Sequence, residues 1–62
     1  MAIDTMNKFL VAVKGKEVGF LKPVPGSMSA DDAMLLAAYL VTMAEMDATH
    51  KFEEVLAAVQ NA

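Results

Sequence analysis

The chain has no cysteine, no tryptophan and no arginine, and a single histidine, His50. Without cysteine there is no disulfide and no thiolate metal site, and one histidine leaves a zinc staple short of ligands. A 62-residue domain must then find its stability in burial, at a size where only about 60% of the unfolded surface is removed from water. Without arginine the chain lacks the residue that reads guanine and grips phosphate through two parallel hydrogen bonds, so nucleic acid is an unfavoured partner. No glycine-rich phosphate loop is present, and no second histidine or cysteine stands ready to work with His50. Acid–base and nucleophilic mechanisms have little to be built from. No catalytic, cofactor or metal residue is assigned, and the chain is expected not to be an enzyme.

A long hydrophobic span is missing too. The uncharged run from Ala33 to Ala44 would reach about 18 Å as a helix, against a hydrocarbon core of about 30 Å. Met1-Ala2-Ile3-Asp4 places an acid where a signal peptide has its basic start. The expectation is a cytoplasmic protein with no membrane partner.

What is there is apolar. Hydrophobic residues make up 56% of the chain, above the usual share of roughly 45–50%. A small, unstapled, apolar chain points to a homo-oligomer, a dimer first of all. The charge is uneven. Residues 1–22 carry Lys8, Lys14, Lys16 and Lys22 against Asp4 and Glu17, whereas residues 23–62 carry Lys51 against six acids. The net charge of −3 therefore hides a basic first third and an acidic remainder.

Residues 8–22 read as a β-hairpin after a flexible lead over 1–7. Phe9 to Val13 and Val18 to Leu21 are rich in strand formers. Gly15-Lys16 between them suits a type II′ turn, with glycine at the first central position. That register sets Lys14 opposite Glu17, Val13 opposite Val18 and Val11 opposite Phe20. Both hairpin faces are apolar, so strands packed across a subunit boundary are expected. Pro23-Val24-Pro25-Gly26 ends the hairpin, within a linker over 23–28. Ser29 is placed to cap a first helix over 29–46, with Asp31 and Asp32 in its first turn and Asp32 approximating a capping box.

On that helix Leu35, Leu36, Tyr39, Leu40, Met43 and Met46 form one broad stripe, while Met34, Ala37, Val41 and Ala44 lie opposite. A helix apolar nearly all round is a buried helix. A second stripe, Phe52, Val55, Leu56 and Val59, is out of phase with the first. With Asp47 and Thr49 as poor interior residues, this favours a turn near 46–50 and a second helix over 49–60, rather than one long helix. The fold class is α+β: a β-hairpin followed by two helices, ββαα, as a single small domain over 1–62. The hairpin is expected to cover one face of the first helix and the second helix the other.

The candidate oligomer or partner interface is Phe9, Val11, Phe20, Leu35, Tyr39, Met43 and Met46. Six methionines suit adaptable contact surfaces. Tyr39, the only tyrosine, joins apolar area to a polar tip and reads chiefly as core, with its hydroxyl near the rim. Asp31 and Asp32 read as helix-start acids rather than metal ligands, and His50 as an exposed residue near a helix start. Lys14 and Lys16 are candidates for binding an anion, or else lysines that keep a sheet edge from aggregating.

Ser29-Ala30-Asp31-Asp32-Ala33, Leu36-Ala37-Ala38-Tyr39-Leu40-Val41 and Phe52-Glu53-Glu54-Val55-Leu56-Ala57-Ala58-Val59, after the Lys14-Gly15-Lys16-Glu17-Val18-Gly19 turn, resemble small accessory proteins of tailed bacteriophages and prophages. The resemblance implies a protein that works in the bacterial host cytoplasm and modulates a host component. The leading expectation is a non-enzymatic oligomeric binding protein that modulates or inhibits a host or defence protein. The alternative is a sponge for a small anionic ligand, such as a nucleotide, at a subunit interface; a DNA-binding regulator ranks below both.

Overall fold

A computed structural model describes residues 2–62. The element order is β1 (Val11–Lys14), β2 (Glu17–Phe20), α1 (Ala30–Ala44) and α2 (Phe52–Gln60), the ββαα arrangement read from the sequence. β1 and β2 pair antiparallel with Val11 opposite Phe20, Val13 opposite Val18 and Lys14 opposite Glu17. Gly15 has φ +62, and Lys16 is not among the positive-φ residues. Positive φ at the first central position alone is the signature of type II′, whose twist matches the flanking strands.

The strands are shorter than the apolar run suggests. Phe9 lies in a turn ahead of β1, and Leu10 has φ +48, a left-handed conformation that disfavours a branched side chain. Asn7 holds this bend. Its Nδ2 donates to the Val11 carbonyl at 3.0 Å, and its Oδ1 accepts from the Val11 N–H at 2.9 Å. One side chain thus replaces a strand neighbour on the free edge of β1. The Leu21 N–H donates to the Leu10 carbonyl at 3.1 Å, carrying the pairing one step past the strands.

Residues 4–8, in and beside the lead expected to be flexible, are hydrogen-bonded to one another and to α1. Asp4 Oδ1 accepts from the Met6 N–H at 2.9 Å. Lys8 Nζ lies 3.3 Å from Asp4 and 2.7 Å from Asp32 on α1. The Tyr39 hydroxyl donates to the Thr5 carbonyl.

α1 begins as its capping residues direct. Ser29 is extended, and its Oγ accepts from the Asp32 N–H at 3.1 Å. Leu35, Leu36, Tyr39, Leu40 and Met43 are all half-buried. Val13 and Val18 share a hollow with Met43 and Ala44, so this hairpin face is the one applied to α1. Val11 on the same face is 3% exposed, the one buried hydrophobic residue among the described residues. α1 ends at Ala44, two residues short of the expected boundary, and a turn over 45–47 follows. Aspartate at 47 and threonine at 49 favour turns over helix interior, which separates the helices.

Candidate functional site

α2 differs from every other element: each of its residues is exposed. Phe52 and Val55 are each 46% exposed, Leu56 39% and Val59 68%. At 100° per residue these four fall within an arc of about 100°, so the exposed apolar area is one continuous stripe. Glu53 lies beyond one edge of it and Glu54 on the far side of the helix.

The N-terminus of α2 also lacks a side-chain cap. Its N-cap is Lys51, in an extended conformation, not Thr49 or His50 as the expected start at 49 would have it. His50 instead reaches forward, its Nδ1 3.3 Å from Glu54 Oε2 in an exposed pair. At the other end Asn61 closes the helix on itself, its Nδ2 donating to the Ala57 carbonyl at 2.8 Å.

Between the helices lies an open cleft of about 840 Å³. Leu40, Val41 and Ala44 of α1 form one wall, Phe52 and Val55 of α2 the other, and residues 48–51 the floor. The second helix was expected to cover the small-residue face of the first; it leaves a cleft instead. Met34 on that side is 74% exposed. The physical reason is length: after the turn only nine helical residues remain, and the Ala57 and Ala58 side chains add little area to the contact.

The expected interface residues divide. Val11 is enclosed within its own chain, which removes it from any docking surface. Leu35, Tyr39 and Met43 are half-buried; Tyr39 also spends its hydroxyl on Thr5. Phe9 is half-buried in its turn. Phe20 remains exposed, and Met46, beyond the end of α1, is 95% exposed. The stripe on α2 was legible from its spacing, but it was assigned to cover α1 and so left out of the interface.

The lysines of the turn do not converge on a basic pocket. A small hollow of about 110 Å³ is lined by Lys16 together with the acidic residues Glu17 and Asp47, a mixture that disfavours an anion. Lys14 does not line it. Lys14 forms no ion pair with Glu17 among the described residues, despite facing it in the ladder. Its methylenes lie across Gly19, 3.6 Å from where a Cβ would stand, covering part of the outer hairpin face as long cationic side chains do. Asp32 is engaged by Lys8. Among the described residues no group of three or more His, Cys, Asp or Glu could hold a metal ion. No helix among these residues is long and apolar enough to cross a membrane.

Comparison with protein families, characterised proteins and solved structures returned no match.

Proposed function

We propose that the chain is a non-enzymatic binding protein that acts by contact, presenting the α1–α2 cleft and the apolar stripe of α2 to another polypeptide. The observation that carries this reading is the exposure of all four stripe residues on a single short helix. Continuous apolar area of this kind marks an interaction surface. The mode it suits is helix-in-groove, in which residues spaced i, i+3, i+4 and i+7 supply the anchors. The resemblance to phage accessory proteins supplies the setting, in which such a protein modulates or inhibits a host or defence component by occupying it.

The test is binding of an environment-sensitive apolar dye to the full chain at high dilution. Fluorescence enhancement that is lost in Phe52→Glu and Val55→Glu supports the reading. No enhancement, with α2 amides protected from hydrogen exchange at the same dilution, means the cleft closes within the chain and overturns it.

A further inference from the structure

α2 is nine residues long, carries no side-chain cap at its N-terminus and buries none of its residues. Isolated helices shorter than about 12–15 residues are marginal in water, so one this short persists where something covers its stripe. α1 of the same chain does not, because the cleft intervenes. The surface area agrees. A compact monomer of 6.6 kDa exposes about 3,900 Å², whereas this chain exposes 5244 Å². The excess, about 1,300 Å², exceeds the roughly 800 Å² per partner that a standard interface removes.

Resting on the contact reading above, we propose that the occupant of the cleft is a second copy of this chain. The two copies are related by a two-fold axis at the middle of α2, and each α2 runs antiparallel to the other and sits in the opposite cleft. A two-fold interface must be complementary to itself, and the α2 stripe has that property. With the axis between Val55 and Leu56, Val55 meets Leu56 of the partner subunit and Phe52 meets Val59 of the partner subunit. Large and small residues alternate across the contact, as interdigitation requires.

Charge selects the direction. In the antiparallel arrangement Glu53 and Glu54 stand level with Ala58 and Ala57 of the partner subunit, and the two helix dipoles oppose one another. A parallel pair would bring Glu53, the glutamate nearer the seam, toward its own copy and set like dipole ends side by side. The hairpin and the Lys8–Asp32 bridge take no part, so each copy keeps its own β1, β2 and α1 packing.

Light scattering coupled to size exclusion, on the full chain near millimolar concentration, tests the proposal. The expected mass is twice 6.6 kDa, falling to the single-chain value in Leu56→Glu while the far-ultraviolet dichroism of the hairpin and α1 is kept. Where Leu56→Glu disturbs the fold, Val59→Glu at the exposed end of the stripe gives the same dissociation. Because the chain has no cysteine, Phe52→Cys and Val59→Cys variants can be mixed and oxidised; the 52–59 disulfide should exceed 52–52. A single-chain mass with dye binding retained overturns the second copy and leaves the contact reading standing. A single-chain mass without dye binding overturns both. A dimer indifferent to Leu56→Glu and Val59→Glu, or a predominant 52–52 disulfide, overturns the antiparallel α2 contact.

Discussion

α1 and α2 differ in three respects that compound one another: length, capping and cover. α1 has fifteen residues, a serine that caps its first turn, and a hairpin packed along its broad stripe. α2 has nine residues, an uncapped lysine at its start and every side chain exposed, whereas α1 half-buries its stripe. Both carry apolar residues at helical spacing, so hydrophobic patterning alone does not decide which helix is secured. Helix nucleation is costly, and each added turn repays more of it. A cap and a packed face come on top of that advantage. The comparison teaches that this chain concentrates its stability in residues 4–44 and carries α2 as a surface.

The largest expected effect follows from Val11. Val11→Ala removes two methyl groups from the one buried hydrophobic residue described, which costs about 2 kcal/mol. For a domain of this size that lowers the melting temperature by about 8–16 °C, read by circular dichroism. Val59→Ala, measured at dilutions where single chains prevail, should stay within about 0.5 kcal/mol of the parent. Equal losses in the two variants would break the comparison, because α2 would then belong to the same cooperative core.

Two asparagines give the next contrast. Asn7→Ala strips both the N–H and the carbonyl of Val11 of their partner, beside the buried side chain, at an expected cost of about 1–3 kcal/mol in denaturant unfolding. Asn61→Ala loses one exposed bond at the end of α2 and should change stability by no more than about 0.5 kcal/mol.

Capping permits the comparison to be reversed. Ser29→Ala should cost about 1 kcal/mol by removing the bond to the Asp32 N–H. Lys51→Ser places a capping hydroxyl where α2 has none, and should raise its helix content by an amount worth about 0.5–1 kcal/mol. Slower amide exchange confined to 52–60 is the readout. If the exchange of 52–60 is unchanged, capping is not what limits α2.

The legible parts of the sequence were the local ones. Hairpin register followed from Gly15-Lys16, because glycine at that position fixes the turn and the turn fixes every pair behind it. The start of α1 followed from Ser29 and two acids, and the break between helices from the phase shift of their stripes. The parts that sequence did not disclose depend on long-range geometry. Asn7 substitutes for a strand neighbour only because Leu10 bends the chain back, and no spacing rule announces a left-handed leucine. Lys8 and Asp32 lie 24 residues apart and meet only after the hairpin folds onto α1. For the candidate site, the stripe on α2 was visible as a period but its surroundings were not. Periodicity says which residues share a face and is silent on whether nine residues suffice to close that face against a neighbour. The same limit misplaced Val11, whose alternation fits an interface and a core equally well.

The smallest expected effect concerns charge at the joint between the N-terminal segment and α1. Lys8 lies between Asp32 and Asp4, and the hydrogen bond to Asp32, then that to Asp4, raises its pKa above the ordinary lysine value. Asp4 is held below the usual carboxylate range, first by the Met6 N–H and then by Lys8. The signs differ. The Asp4 contribution is present above its ordinary pKa of 3.8 and disappears as pH falls through the lowered value. The Lys8 contribution is present below 10.5 and disappears as pH rises through the raised value. Between these limits these two groups make stability level, with one shallow decline in acid and another in strong alkali. Both groups face solvent, so molar salt, where the screening length is about 3 Å, should flatten both declines. Lys8→Met should remove the alkaline decline and shrink the acid one, as followed by melting temperature against pH. Persistence of the alkaline decline in Lys8→Met would mean that the ion pair is not what joins the N-terminal segment to α1.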